Sequence, residues 1–302
     1  MECTSIEAYL ETESFEDLCF QPGKASFVFK CNEWELGPVF FFDPIAAKQW
    51  VLNRLSQQSE SFDAKFPIVD FLYRDQFRIH AVFSPLTDAP LSVSIRKHMK
   101  DSQNPWINDP HFQTLSQKLQ QGKSLFISGA TGSGKTTFLR GLIESLPAFK
   151  RIICIEDTPE LYAQHQHLVS LRSRKKNPDG FGEIGLSLLM KEALRMRPDH
   201  LVLGECRGAE VFTLLQAINT GHGGCMGSIH ANSCRESLKR IELLSLIEMQ
   251  GSIRPQTIRQ MIASGLHYLV HLNRSHGTHQ VQEIQKVEGL EGDTLLTRPL
   301  LE

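Results

Sequence analysis

The chain has 302 residues, of which 41% are hydrophobic and 22% charged, and its formal net charge is −2. This length is typical of two globular domains that each bury a core. The balanced charge argues against a surface for nucleic acid, and no apolar run approaches the roughly 18–20 residues that span a bilayer. The acidic, polar start of the chain lacks the basic and apolar regions of a signal peptide, which predicts a cytoplasmic protein.

The first third of the chain alternates strand-like and turn-like segments. Aromatic and β-branched runs, or alternating apolar and polar residues, predict strands at 26–30, 38–42, 77–84 and 91–97. Residues 44–56 carry apolar side chains at helical spacing. We therefore predict a smaller α+β domain with antiparallel strands over residues 1–100.

Proline, asparagine and aspartate interrupt the pattern at the end of this domain, and we predict a linker over residues 101–110. Asp109 has the chemistry of a helix N-cap, and Pro110 is typical of the first helical position. A helix is therefore predicted from Pro110 to Gln121, at the start of a second domain over residues 111–302.

Beyond this helix, short apolar strands alternate with helices. The predicted strands are 124–128, 151–155, 200–204, 225–229, 267–272 and 279–284. The predicted helices are 135–146, 185–196, 209–219, 236–248 and 255–264. Uniformly apolar strands in this alternation predict an α/β domain with a largely parallel sheet that is covered by helices on both faces.

A glycine-rich segment between a predicted strand and a predicted helix fits the pattern G-x-x-x-x-G-K-[ST]. It consists of Gly129, Ala130, Thr131, Gly132, Ser133, Gly134, Lys135 and Thr136, and it continues into Thr137. Glycines let such a loop turn its amide groups inward around phosphate, and the positive end of the following helix points at the same place. Lys135 then reaches the terminal phosphates and Thr136 offers its hydroxyl to Mg²⁺, which predicts a site for ATP and Mg²⁺. A chance glycine-rich turn is the alternative, but the flanking strand and helix are those that the motif requires.

Carboxylates follow two other predicted strands, at the sheet edge where ligands of open α/β folds bind. Glu205 is suited to orient and deprotonate an attacking water or to hold Mg²⁺ through water, with a helix-capping role as the alternative. Glu156, Asp157 and Glu160 would repel one another unless Mg²⁺ or an arginine lies nearby. We predict that Glu156 takes part in binding Mg²⁺, and a solvated acidic turn is the alternative.

His222 and His230 flank the predicted strand at 225–229. If that strand lies beside the strand that precedes the glycine-rich loop, both imidazoles are expected near the nucleotide, where a neutral ring can sense the γ-phosphate. Ordinary surface histidines are the alternative, which spacing alone favours.

Together these segments resemble the type II/type IV secretion ATPase superfamily, and within it the VirB11-like branch and the CpaF/TadA-type ATPases of tight-adherence pili. The superfamily's four boxes occur in order over residues 129–235, as GATGSGKTT (Walker A), IEDTPEL (Asp box), RMRPDHLVLGECRG (atypical Walker B) and NTGHGGCMGSIHANS (His box). The resemblance implies a RecA-like P-loop NTPase domain that hydrolyses ATP. The paired CxxC insertion of type II secretion relatives is absent from the sequence, which favours the VirB11/CpaF side over pseudopilus assembly.

The resemblance also implies roles for individual residues. Glu205 is implied as the catalytic carboxylate and His230 as the His-box residue. The segment RIHAVFSPLTDAPLSVSIRK resembles the N-terminal segment whose arginines meet the nucleotide, which makes Arg78 and Arg96 candidates for closing the site. Arg207 is a candidate for action near the neighbouring subunit. A surface ion pair is the alternative for each of these arginines.

The resemblance implies that the chain assembles into a ring, usually a homo-hexamer. It also implies that this ring lies in the cytoplasm, peripheral at the inner membrane. An inner-membrane platform protein is the expected partner, and no nucleic acid is expected.

Two features depart from the family pattern, Cys206 in the Walker B box and the cysteine-containing strand of the His box, but neither removes a catalytic group. The basic run at 172–176 is best interpreted as a solvated loop, with a membrane-surface contact as the second interpretation.

The predicted function is therefore an ATP-hydrolysing motor of a bacterial secretion or pilus-assembly system. Two other classes of protein also carry such a loop. One is a P-loop kinase that phosphorylates a small acceptor, and the other is an ATP-gated binding protein that does not hydrolyse ATP. The combination of Lys135, Thr136 and Glu205 favours hydrolysis over the latter.

Overall fold

The computed structural model describes residues 4–31, 33–55, 67–97, 104–174, 176, 181–249, 252–275 and 277–300. Within these residues, no helix combines the length and apolar character that crossing a membrane requires. The chain divides into two compact units, an N-terminal unit that ends at Ser102 and a C-terminal unit that begins at Gln103. Residues 101–103 of the predicted linker lie outside the described residues.

The N-terminal unit is an antiparallel sheet with helices packed on one face. Its elements are α1 (Ile6–Thr12), β1 (Asp17–Phe20), β2 (Phe27–Lys30), β3 (Glu33–Leu36), α2 (Pro44–Leu55), β4 (Ile68–Tyr73), β5 (Phe77–Phe83) and β6 (Leu91–Lys97). The strand order is β3-β2-β1-β6-β5-β4. Alternate residues of β5, such as Ile79, are buried against Leu10 of α1 and Trp50 of α2, whereas Arg78 lies on the opposite face. This alternation confirms the predicted half-buried strands.

The strand predicted at 38–42 is wrong, although Val39 and Phe40 are buried as a strand would bury them. Pro38 has no amide donor, and the carbonyl oxygens of this segment accept hydrogen bonds from loop amides rather than from a neighbouring strand. The side chain of Asp43 then accepts from the first amides of α2, which ends the extended segment. Sequence patterns also missed α1, β1, β3 and β4, which are short or lie at the sheet edge.

The C-terminal unit is a mainly parallel sheet between two layers of helices. Its elements are α3 (Pro110–Gln120), β7 (Leu125–Ser128), α4 (Lys135–Glu144), β8 (Ile152–Glu156), β9 (Leu168–Arg172), α5 (Leu186–Leu194), β10 (His200–Leu203), α6 (Glu210–Asn219), β11 (Met226–Ile229), α7 (Cys234–Glu248), α8 (Pro255–Gly265), β12 (Tyr268–Ser275), β13 (Thr278–Glu291) and β14 (Thr294–Pro299). The strand order is β14-β13-β12-β7-β11-β10-β8-β9. The strands from β12 to β9 in this order run parallel, and β13 and β14 add an antiparallel edge.

Both faces of this sheet are covered, as the apolar strands predict. Leu125 and Ile127 of β7 pack with α3 and α4 on one face, and Phe126 packs with α5, α6, α7 and α8 on the other. Asp109 caps α3 through its side chain, as predicted. The predicted helices and strands of this unit are confirmed within a few residues, except that β13 continues to Glu291, well beyond the predicted end at 284. The strands β9 and β14 were missed.

Phe138 is expected to be essential for the stability of the C-terminal unit. This side chain lies in α4 and is fully buried. The centroid of its ring lies 5.1 Å from that of Trp106 and 5.2 Å from that of Phe112. Phe138→Ala should lower the free energy of unfolding by about 3–5 kcal/mol, because it leaves a cavity in a packed core. Urea denaturation followed by circular dichroism measures this loss. Phe149→Ala, at a 76% exposed position, is the matched control and should change it by less than about 0.5 kcal/mol. Equal transition midpoints for the two variants would contradict the packing described.

Candidate nucleotide-binding site

The glycine-rich loop lies at the carboxyl edge of the parallel sheet, between two strand ends. β7 pairs in parallel with β11 on one side and β12 on the other, and Ser128 aligns with Ile229 and His271 in these registers. The loop that follows Ser128 therefore lies between the residue after β11 and the last residues of β12. Open α/β sheets bind their ligands at this edge.

Two glycines of the loop adopt backbone angles that other residues disfavour. Gly132 and Gly134 have φ angles of +76° and +91°, in the left-handed region that residues with a Cβ atom disfavour. Gly134 is also the N-cap of α4, so the loop leads directly into a helix whose first amides have no intrahelical partner. Such amides and the helix dipole together form an anion-binding site. The predicted phosphate-binding residues from Gly129 to Thr137 all lie in this loop and the first turn of α4.

Lys135 is held inside the loop by the loop's own backbone. It is 8% exposed, and Nζ donates to the carbonyl oxygens of Gly129 at 2.9 Å and Ala130 at 2.8 Å. Burial lowers the pKa of Lys135 to about 8, although the carboxylates of Glu205 and Glu160 act in the opposite direction. The group is therefore mainly a cation at neutral pH, and its bonds to neutral carbonyls can be exchanged for stronger bonds to phosphate.

His230 links this cation to Glu205. Because β10 and β11 pair in parallel, the residues that follow them meet at the same sheet edge. Oε1 of Glu205 lies 3.2 Å from Nε2 of His230, and Nδ1 of His230 lies 3.5 Å from Nζ of Lys135. The tautomer protonated on Nε2 satisfies both contacts, since Nε2 then donates to the carboxylate and Nδ1 accepts from the ammonium group. The prediction that the His-box strand lies beside β7 is confirmed.

Arg207 binds the other carboxylate oxygen of Glu205, with Nη2 at 2.5 Å from Oε2. Burial raises the pKa of Glu205, but the hydrogen bonds and charges of His230 and Arg207 outweigh it and bring the pKa to about 2. Glu210 fixes this segment, because its buried carboxylate accepts from the amides of Arg207 and Gly208 at 2.6 and 2.7 Å. Glu210 was not predicted as a site residue, although a carboxylate in the first turn of a helix is a capping signal.

Glu156 is buried, and it binds the backbone of the loop that follows β8. Its Oε1 accepts hydrogen bonds from the amides of Glu160 at 2.9 Å and Leu161 at 3.0 Å. Burial raises the pKa of Glu156, whereas the charge of Arg172 lowers it. Arg172 is thus a nearby arginine of the kind that the sequence analysis expected, and Asp157 accepts a hydrogen bond from a serine hydroxyl after β9. Binding of Mg²⁺ by Glu156 stays a prediction.

His222 lies at the opposite edge of the sheet. It precedes β11, whose first residue, Met226, aligns with Leu125 at the start of β7 and not with the loop at its end. The expectation that His222 lies near the nucleotide is therefore wrong, whereas His230 does lie beside the loop. The reason is geometric, because the two histidines lie beyond opposite ends of β11, which are themselves about 10 Å apart.

Arg78 and Arg96 lie directly opposite each other on β5 and β6 of the N-terminal unit. Arg78 binds Asp70 through two nitrogens, at 3.1 and 2.9 Å, and Arg96 binds Asp17 at 2.9 Å. Each arginine thus forms an ion pair, which was the alternative interpretation. The carboxylate partners were not predicted, because they lie on other strands. Action of these arginines on a nucleotide stays a prediction.

A cleft of about 450 Å³ opens beside the loop, between Gly129, His230 and the first turns of α7. Its volume lies in the range of small-molecule sites. Among the residues that the structure describes, no group of three or more His, Cys, Asp or Glu side chains is arranged to hold a metal ion.

The basic run at 172–176 is described except for Lys175. Nε of Arg174 donates to the carbonyl oxygen of Gly182 at 2.6 Å, and Lys176 pairs with Glu183 at 3.5 Å. Contact of this run with a membrane stays a prediction.

Known proteins similar to this chain were found by sequence. A family model for type II/IV secretion system proteins matches residues 92–293. A Mycobacterium tuberculosis protein named for conjugal transfer is 35% identical over 223 residues, which are 71% of this chain and 62% of that protein. The type IV secretion system protein VirB11 of Bartonella quintana is 35% identical over 204 residues, which are 67% of this chain and 57% of that protein. The chain thus spans less than two thirds of the length of either relative.

A solved structure is similar in fold. The VirB11 ATPase from the Brucella suis type IV secretion system, crystallised with sulphate, matches with a TM-score of 0.52 at 24% identity. The match covers 93% of this chain and 95% of that one. It confirms the predicted fold class, a RecA-like domain with a smaller N-terminal α+β domain. The narrower likeness to CpaF/TadA-type ATPases stays a prediction.

Glu205 is expected to make stability depend on pH in the acid range. Its pKa of about 2 in the folded chain is below the ordinary value of 4.5, so ionised Glu205 stabilises the fold above pH 4.5, and this contribution is lost as the pH falls toward 2. The Tm advantage of the wild type over Glu205→Gln should therefore be larger at about pH 6 than at about pH 3. Glu192→Gln, which changes an exposed carboxylate on α5, is the control. An advantage that is the same at both pH values would contradict the depressed pKa.

Proposed function

The chain belongs to the type II/IV secretion system protein family, and we propose that it is an ATP-hydrolysing motor of a bacterial secretion or pilus-assembly system. The observation that carries this proposal is the line of contacts from the buried cation of Lys135 through His230 to Glu205, beside a phosphate-binding loop. This line joins a group that binds phosphate to a carboxylate that can orient water. The relatives named for type IV secretion and conjugal transfer support the biological setting.

The donor set of the loop fits ATP with Mg²⁺. Inward amides, the first turn of α4 and Lys135 match a chain of phosphates. Mg²⁺ takes oxygen ligands and is commonly held by phosphates, water and one or two protein oxygens, which the hydroxyl of Thr136 and the carboxylates of Glu205 and Glu156 are proposed to provide. When bound, Mg²⁺ neutralises charge on the phosphate oxygens.

In the proposed reaction, Lys135 exchanges the carbonyl oxygens of Gly129 and Ala130 for oxygens of the terminal phosphates. Glu205 accepts a hydrogen bond from the attacking water and orients it toward the γ-phosphate. A carboxylate with a pKa of about 2 is a weak base. We therefore infer that Arg207 must leave Glu205 before the carboxylate can accept a proton efficiently.

The coupling of hydrolysis to movement is assigned to Arg78 and Arg96. In this proposal the charge of the γ-phosphate attracts the two guanidinium groups, and its loss on hydrolysis releases them. Their ion pairs with Asp70 and Asp17 are the contacts that they would exchange. The proposed assembly is a homo-hexamer in the cytoplasm, peripheral at the inner membrane, with Arg207 near the neighbouring subunit and a platform protein as partner.

Replacement of Glu205 tests the reaction. Glu205→Gln should lower kcat for ATP hydrolysis about 10²–10⁴-fold, because the variant cannot accept a proton from water, and should leave the Kd for ATP within a few-fold of the wild type. Phosphate release by purified protein measures kcat, and Glu192→Gln, at an exposed position, should match the wild type.

The same assay separates the rival functions. Turnover of ATP without any added acceptor rejects a kinase, and phosphate release from assembled protein rejects a non-hydrolysing binding protein. Wild-type turnover by Glu205→Gln would remove Glu205 from its proposed role.

Binding of ATP is expected to be coupled to proton uptake by Lys135. Its pKa is about 8 in the free protein, so a large fraction of the amine is neutral at about pH 8.5, and contact with phosphate favours the charged form. Calorimetric titrations in buffers of different ionisation enthalpy should show uptake of more than about half a proton at pH 8.5 and much less at about pH 6.5. Uptake that does not rise with pH would contradict the lowered pKa.

A further inference from the structure

The hairpin of β12 and β13 lies against the side of the loop opposite His230. β12 pairs in parallel with β7, and a Cβ atom placed on Gly129 would lie 2.5 Å from the carbonyl oxygen of Leu272. A Cβ atom on Gly132 would lie 3.9 Å from Nη1 of Arg274, near the end of β12. The end of β12 thus runs alongside the loop and brings a guanidinium group to it.

His279 of β13 fixes the other side of the hairpin. A Cβ atom on Gly134 would lie 3.0 Å from Nδ1 of His279, and the imidazole centroid lies 6.0 Å from that of Trp106. Trp106 is 2% exposed and packs edge-on against Phe138 of α4. The imidazole therefore lies between the first turn of α4 and a buried indole, and this packing sets the position of the hairpin relative to the loop.

The position of Arg274 gives it access to the phosphates of a bound nucleotide. Phosphates in such a loop lie within hydrogen-bond distance of the loop amides. Nη1 of Arg274 faces the loop at Gly132, 3.9 Å from the position that a Cβ atom on this glycine would take. Arg274 is half-buried, so rotation of its side chain can bring the guanidinium closer. A guanidinium keeps its charge at any relevant pH, and its planar fork matches two phosphate oxygens.

We propose that Arg274 is a second cationic ligand of the nucleotide, binding the phosphates from the hairpin side while Lys135 binds them from the His230 side. A triphosphate carries several negative charges, which two cations on opposite sides compensate better than one. The inference rests on the proposed function, since it takes ATP as the ligand of the loop. It assigns retention of the nucleotide to the hairpin and leaves Glu205 on the side where water is oriented.

Calorimetric titration of the full chain with ATP and with AMP tests this assignment. Arg274→Gln should raise the Kd for ATP about 10- to 100-fold, because charge-assisted hydrogen bonds to phosphate are lost. The Kd for AMP should change by less than about 3-fold, because fewer phosphate oxygens are involved. Arg274→Lys should give an intermediate Kd for ATP, since an ammonium group keeps the charge without the fork.

Arg298→Gln is the matched control, because Arg298 is an exposed arginine on β14 that pairs with Glu288 at 3.3 Å. It should bind ATP as the wild type does, and thermal unfolding checks that each variant folds. Wild-type affinity of Arg274→Gln for ATP would overturn the inference, as would equal losses for ATP and AMP or failure of Arg274→Lys to bind better than Arg274→Gln. If the wild type itself does not bind ATP, the proposed function fails together with the inference. If the wild type binds and hydrolyses ATP but Arg274→Gln is unchanged, only the inference fails.

Discussion

The charge of Lys135 is buried at the edge of a parallel sheet, and the other polar groups of the site are arranged around it. A buried ammonium group destabilises a fold unless acceptors surround it, and here two loop carbonyls, a histidine nitrogen and nearby carboxylates do so. These acceptors are of two kinds. The carbonyls are exchangeable, because phosphate oxygens are stronger acceptors, whereas the link through His230 to Glu205 can persist when a phosphate is bound.

Parallel pairing explains why so few strands build the whole site. β10, β11, β7 and β12 lie side by side and end at one edge, so Glu205, His230, the loop and Arg274 are neighbours although they are far apart in the chain. The same pairing explains the position of His222, because the beginning of a parallel strand lies at the edge away from the ligand. Direction along the strand, and not distance in sequence from the motif, decides which polar residues belong to the site.

Sequence patterns predicted those parts of the chain whose signals are local. The phosphate loop combines glycines, a lysine and a flanking strand and helix, and Asp109 followed by Pro110 is a cap signal that needs no knowledge of the fold. Other features depend on distant residues. No local pattern shows that Asp70 binds Arg78, or that Val39 and Phe40 are buried without belonging to a sheet.

The two sides of the loop have different chemistry. On the side of β11, Glu205 and His230 form a network in which protonation matters, since the pKa of Glu205 depends on Arg207 and His230. On the side of β12, Arg274 offers a charge that does not titrate at physiological pH. In the proposed motor, the groups that hold the nucleotide therefore need not change when the groups that orient water do. The loop lies between the two sides, and its glycines allow the hairpin of β12 and β13 to approach it closely, as at Gly129 and Gly134.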